Sequence, residues 1–141
     1  MKLDEFTIGQ VFETKSFKIT KEDIMKFAGD FDPQYIHLDE EKASQGRFKG
    51  IIASGIHTLA ISFKLSADHG IFGEDVIAGT EMNNIKFIKP VFPGDELRAI
   101  VEIIDKAAKK NDKGILTFKV TTFNDKEEKL FEGDFSALIK R

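Results

Sequence analysis

Asp32 and His37 stand five positions apart in the run Phe31-Asp32-Pro33-Gln34-Tyr35-Ile36-His37-Leu38-Asp39. On a continuous helix two side chains at that spacing point in different directions. A proline between them cannot continue a helix, and on a kinked segment after a helix end the two can converge on one small volume. A carboxylate and an imidazole facing a common water are what proton transfer needs, because one group takes a proton while the other delivers one. This run is the part of the chain best suited to carry a reaction.

The elements that must position the pair follow from pattern. Gln10 to Ile19 alternates loosely and reads as a first strand. Thr20 sits where an N-cap belongs, with Glu22 and Asp23 in the first turn of a helix whose apolar stripe is Ile24, Phe27 and Ala28. Gly29 weakens that helix and Asp32-Pro33 ends it. A second short helix is expected from Asp39 to Ser44, capped by Asp39. Gly50 to Gly55 then leads into Ile56–Leu65, where apolar residues fall on nearly every face; a helix of that kind is a buried one. Asp68-His69-Gly70 closes it.

From residue 76 onward the chain reads as β. Four strands are expected, Ile77–Lys89, Glu96–Lys106, Gly114–Asn124 and Lys129–Lys140, with Asn83-Asn84 marking a bulge. In the second, Leu97, Ala99, Val101 and Ile103 alternate with Arg98, Ile100 and Glu102, the period of a sheet with one buried face. Pro93-Gly94-Asp95 and Asn124-Asp125 are turns, and Lys106 to Lys113 is a solvated hairpin tip. A long buried helix and long antiparallel strands resolve into one α+β architecture, a sheet curled around the helix. Its edge strand can pair with a second copy, so a homodimer, or a larger assembly built from it, is expected.

Composition narrows the function. At 141 residues the chain is the size of one domain, residues 1–141, with 41% hydrophobic and 32% charged residues. There are no cysteines, which removes disulfides, thiolate nucleophiles and cysteine-held zinc, and fits a reducing cytoplasm. A net charge of -3 argues against a nucleic-acid-binding surface. The acidic start, Met1-Lys2-Leu3-Asp4-Glu5, lacks the apolar run of a secretory signal, and no segment approaches a membrane span. Fourteen Phe against one Tyr and no Trp favour a core of aromatic plates and an apolar tunnel.

Three blocks in order resemble the MaoC-like dehydratases, the (R)-specific enoyl-CoA hydratase family of the hot-dog fold. They are Asp32 to Asp39 followed by Ala43, then Gly50-Ile51-Ile52-Ala53-Ser54-Gly55-Ile56-His57-Thr58, then Ile85 to Leu97 with its Pro90-Val91 and Pro93-Gly94-Asp95. The resemblance implies reversible syn addition of water to a trans-2-enoyl thioester, of coenzyme A or of acyl carrier protein, giving an (R)-3-hydroxyacyl thioester. It implies no metal and no redox cofactor. Asp32 and His37 match the catalytic pair, and Gly55 matches the residue whose backbone N–H binds the thioester carbonyl oxygen. Helix N-termini offer unpaired N–H groups and positive partial charge, which suits a developing enolate oxygen.

The family's best-known segment has Gly-Asp-x-Asn-Pro before a closer His. Here Gly29-Asp30 comes two residues earlier and Gln34 stands in the Asn place, so Asp30 or Asp32 is the acid. Asp32 is preferred because it keeps the five-residue separation from His37, and Gln34 is expected to hydrogen-bond near the site. Ser54 is expected to cap the central helix, with a second role touching substrate beside Gly55. His57 reads as a core histidine rather than a second base, and among Phe27, Phe63 and Phe87 only a fraction would meet an acyl chain. Two other functions fit the same pattern: a thioesterase using a lone carboxylate, and a thioester-binding subunit without turnover.

Overall fold

Thr20 begins the first long helix by reciprocal capping. Its hydroxyl accepts from the Asp23 N–H at 3.1 Å, and the Asp23 carboxylate accepts from the Thr20 N–H at 3.1 Å. In the computed structural model, which describes residues Met1–Arg141, this helix, α1, spans Lys21–Phe31 and buries Ile24 and Ala28. Its last bond runs from the Asp32 N–H to the Ala28 carbonyl at 2.8 Å, after which Pro33 stops it. A single helical turn that the pattern did not foretell, α2 (Tyr35–Leu38), follows the kink. Then comes α3 (Glu40–Ser44), started by the Asp39 carboxylate, which accepts from the Lys42 N–H at 3.0 Å.

The chain next crosses the body as a buried strap, Ile51 to Ser54, tied by Ile52 N–H to Ile36 O (3.1 Å) and Ala53 N–H to Val91 O (2.8 Å). The strap delivers the chain into α4 (Gly55–Asp68). Beyond α4 lie β3 (Val76–Phe87), β4 (Glu96–Ala108), β5 (Lys113–Phe123) and β6 (Lys129–Lys140). Together with β1 (Val11–Glu13) they form an antiparallel sheet in the order β1-β4-β5-β6-β3, and β2 (Phe17–Lys18) also pairs with β4. The inward faces carry Leu97, Ala99, Val101 and Ile103 on β4 and Leu116, Phe118 and Val120 on β5, all buried, as the alternation demands. The sheet curves around α4, which is the hot-dog fold.

Three sequence expectations need correction. The first strand is not continuous from Gln10 to Ile19. It breaks between Glu13 and Phe17, where Thr14 puts its side chain in place of a backbone carbonyl: the Ala99 N–H donates to Thr14 Oγ1 at 2.9 Å while the Thr14 N–H donates to Ala99 O at 3.0 Å. Pairing on β4 slips by one residue across that break, the signature of a bulge. Secondly, α4 is not buried all round within one chain. Its inner face is His57, Thr58, Ile61, Ser62, Leu65 and Ser66, whereas Ile56 and Phe63 are 54% and 45% exposed. The small hydroxyl residues face the sheet together with Ile61 and Leu65, and Ser62 Oγ meets Thr122 Oγ1 at 2.6 Å, whereas Ile56 and Phe63 lie open. Thirdly, Ser54 does not cap α4 with its side chain. β3 slips register against β6 at three places, and one of them lies where Asn83-Asn84 placed a bulge, between Asn83 and Lys86, with Asn84 at φ +55°.

Candidate active site

The Asp32-Pro33 kink and the turn of α2 fold one short loop back on itself. Asp32 has left helical geometry (φ -152°, ψ 71°), and its carbonyl accepts from the Gln34 N–H at 2.8 Å. The His37 N–H then closes onto Gln34 O at 3.0 Å. In consequence Asp32 Oδ2 and His37 Nε2 lie 3.3 Å apart. The imidazole is buried, and the Asp32 side chain is 16% exposed at the edge of a cavity.

The strap holds the ring from behind. His37 Nδ1 is 2.6 Å from the carbonyl oxygen of Ile52. A carbonyl only accepts, so Nδ1 carries the hydrogen, and Nε2 is the atom left to exchange protons with whatever stands in front of Asp32.

Two donors grip the carboxylate. The Ser54 hydroxyl donates to Oδ2 at 2.6 Å, and the Gln34 side-chain amide donates to Oδ1 at 2.6 Å. The Ser54 hydroxyl first and the Gln34 amide second hold the Asp32 carboxyl below the usual carboxylate range; burial pushes it up by less than either, and the nearby His37 adds a weaker downward pull.

Gly55 is the first residue of α4. The first N–H taken up inside the helix is that of Thr58, by Ser54 O at 3.1 Å, which leaves the Gly55 N–H open at the positive end of the dipole. A Cβ at Gly55 would stand 3.0 Å from ring carbons of Phe87, so glycine lets that ring lie over the helix start. Asp32, Gln34, His37, Ser54 and Gly55 all line one cavity of about 620 Å³, with Phe87, Ile36 and Phe48 among its apolar walls. Lys89 is the one cation on its wall, and it is paired with Glu128 at 2.6 Å.

Other side chains weighed from sequence fall elsewhere. Asp30 is turned outward to Lys26 at 3.6 Å, away from the cavity. His57 stacks on Phe27, ring centroids 4.3 Å apart and planes within 3°, and burial pushes its pKa down against a weaker opposite pull from Asp23. Of the three phenylalanines, Phe87 lines this cavity, Phe27 covers His57, and Phe63 lines a separate apolar hollow under β3. The Ile52 carbonyl had no signal in the sequence, because a backbone acceptor carries no residue-type signature. The cover that Phe87 gives Gly55 was equally hidden, as it depends on how β3 meets the helix.

A curved antiparallel sheet around a helix, with an acid, an imidazole and an open helix terminus on one cavity, defines a hot-dog protein with the makings of a hydratase or dehydratase. The family model described as "MaoC like domain" matches residues 5–124, and the chain belongs to that family. It is 68% identical over 141 residues, the whole of both chains, to the uncharacterized protein YdeM of Bacillus subtilis. It is 33% identical over 88 residues to the 3-hydroxyacyl-thioester dehydratase Z of Mycobacterium tuberculosis, a match covering 61% of this chain and 58% of the relative. Among solved structures, the MaoC-like dehydratase from Rhodospirillum rubrum superposes with a TM-score of 0.90 at 30% identity, covering 100% of this chain and 97% of that one. These relationships support a function of the hydratase or dehydratase kind.

Proposed function

We propose that this protein is an (R)-specific enoyl-thioester hydratase, adding water reversibly to a trans-2-enoyl thioester of coenzyme A or acyl carrier protein. The observation that carries the reading is the 3.3 Å approach of Asp32 Oδ2 and His37 Nε2 on the cavity that also holds the open Gly55 N–H. The related dehydratase Z of Mycobacterium tuberculosis is named for 3-hydroxyacyl thioesters, and the same chemistry run in reverse is hydration.

In this reading a water sits in front of both Asp32 Oδ2 and His37 Nε2, within hydrogen-bonding reach of each. Asp32, held as the carboxylate, accepts one of its hydrogens and orients it. As the water oxygen bonds to the substrate's third carbon, His37 Nε2 takes the other hydrogen. The electron pair of the double bond moves onto the thioester carbonyl oxygen, which accepts the Gly55 N–H in a water-poor site. The imidazolium, stabilised by the Asp32 carboxylate beside it, then returns its proton to the second carbon. One O–H bond and the carbon–carbon π bond break, one C–O and one C–H bond form, and His37 ends neutral. Both atoms arrive from the side where Asp32 and His37 stand, which accounts for syn addition.

The working unit in this proposal is a homodimer in the cytoplasm. β3 pairs only with β6, and its other edge is open. Val76 and Met82 on β3, 40% and 53% exposed, share an apolar hollow with Phe63 on the open face of α4. A second β3 laid along the first would pair that edge and cover the apolar face. No helix is long and apolar enough to cross a membrane.

The experiment is an assay of crotonyl-CoA by loss of the enoyl absorbance, with free thiol followed in parallel. Loss of absorbance without thiol release is expected. Thiol release without hydration would make the protein a thioesterase instead, and binding with neither change would make it a non-catalytic carrier of thioesters.

A further inference from the structure

Ser54 holds the N-cap position of α4 yet spends its hydroxyl elsewhere, on Asp32 Oδ2 at 2.6 Å. A serine in that place ordinarily bonds an N–H of the first turn and steadies the helix. Here that stabilisation is forgone for a bond to a carboxylate on another element. The residue is 1% exposed, so its hydroxyl has almost no solvent contact of its own. Oδ2 is also the oxygen that faces His37 Nε2, at a distance longer than the about 2.7–2.9 Å of a direct charge-assisted bond.

We propose that Ser54 is the positioning residue of this site: its hydroxyl holds the Asp32 carboxylate off the His37 ring and keeps it turned toward the space in front of the Gly55 N–H. The inference rests on the hydratase reading for the chemistry being positioned, while the grip on Asp32 stands on geometry alone. The carboxylate is clamped from two sides, Oδ1 by Gln34 and Oδ2 by Ser54. The two clamps are unequal. Gln34 reaches Asp32 in an exposed bond from two residues along the same loop, where water can take its place. Ser54 comes from a separate element and is buried. It is also the residue before Gly55, so a single peptide unit joins the hydroxyl that sets the carboxylate to the N–H that meets the substrate oxygen. Ser54 thereby fixes the distance between the two ends of the reacting group.

The charged neighbours of Asp32 leave this role to Ser54. From α2 only His37 faces it. On α1, Asp30 is paired outward with Lys26. On α3, Glu40 pairs with Lys21 at 2.9 Å and Asp39 caps its own helix. On the far wall Lys89 is held by Glu128. On α4, His57 is stacked against Phe27.

The test uses Ser54→Ala and Ser54→Cys, the second being close in size but a weak donor. Two quantities are read: the titration of the Asp32 side-chain carbon by NMR, and kcat and KM for crotonyl-CoA hydration across pH. In both variants Asp32 is expected to titrate at higher pH than in the wild type, the acid limb of kcat to move up with it, and kcat at neutral pH to fall about tenfold to a hundredfold with KM within about twofold. Gln34→Ala should show the same changes, smaller. An Asp32 titration identical to wild type in both variants overturns the proposal, as does an unchanged kcat. A fall in kcat with Asp32 unmoved makes Ser54 a packing residue and overturns it too. A wild-type protein inactive on every thioester strikes the functional reading alone, since the NMR titration still decides whether Ser54 holds the carboxylate.

Discussion

His37 gives its Nδ1 hydrogen to the carbonyl of Ile52 at 2.6 Å, across fifteen positions of sequence. This bond does two jobs at once. It anchors α2 to the strap that precedes α4, and it leaves Nε2 without a hydrogen and facing Asp32. The two jobs are separable. His37→Asn places an amide N–H near the position of Nδ1 but has nothing at Nε2. This variant should keep a thermal midpoint close to wild type while kcat for hydration falls about 10²–10⁴-fold. Calorimetry beside a steady-state assay checks both halves; a loss of both together would mean that the ring is needed for folding first.

Asp32 makes stability depend on pH in a definite direction. Its folded-state pKa lies below the unfolded value of about 3.9. A depressed carboxyl contributes stability that is fully present above the unfolded pKa and disappears as pH falls through the folded one. Urea midpoints of the wild type and Asp32→Asn, compared from pH 7 downward, should therefore converge below about pH 4. A gap that stays constant over that range would show that the hydrogen bonds from Ser54 and Gln34 do not favour the ionised form.

Gly55→Ala separates access from folding. The added methyl would stand 3.0 Å from the ring of Phe87, a side chain 55% exposed that has room to give. The fold should survive, whereas a thioester oxygen can no longer approach the helix N–H. Turnover should drop about 10²–10³-fold, the usual consequence of losing one oxyanion donor. Melting and kcat measured on the same preparation test this, and a variant with wild-type turnover would move the oxyanion site away from α4.

The open edge of β3 predicts assembly. Sedimentation velocity should find the wild type as a dimer, and Met82→Lys, which sets a charge on an apolar residue 53% exposed there, should shift it toward monomer. A wild-type monomer across the accessible concentration range would leave that edge and the outer face of α4 without a partner.

How much was legible in the sequence depended on what kind of signal each feature leaves. Strands β4 and β5 announced themselves because one face is buried and the period of two is unbroken from Leu97 to Ile103 and from Leu116 to Thr122. Proline after Asp32 marked the kink, and the chain supplied an Asp and a His on either side of it. What escaped was information carried by backbone groups and by choices among hydrogen-bond partners. The Thr14 bulge depends on a hydroxyl replacing a carbonyl, and nothing in the residue types around it marks the substitution. Residue types likewise did not reveal that α4 turns Ser62 and Ser66 inward and Ile56 outward, since apolarity was read as burial. Small hydroxyl side chains can bond back to their own helix, as Ser62 does to Thr58 O at 2.8 Å and Ser66 to Ser62 O at 2.9 Å. Such self-satisfied serines pack closely against a sheet. Ser54 had a local role available as a cap and took a distant one instead, a choice visible only once Asp32 stands beside it.

The proposed reaction requires Asp32 and His37 to act on one water. Its most direct test is crotonyl-CoA hydration by wild type, Asp32→Asn, His37→Ala and the double variant, with the configuration of the product determined. An (R)-3-hydroxy product is expected, with a fall of about 10²–10⁴ for each single change and a double variant little worse than either alone because the two act as a unit. Folded single variants that retain wild-type turnover, or an (S) product, would contradict it.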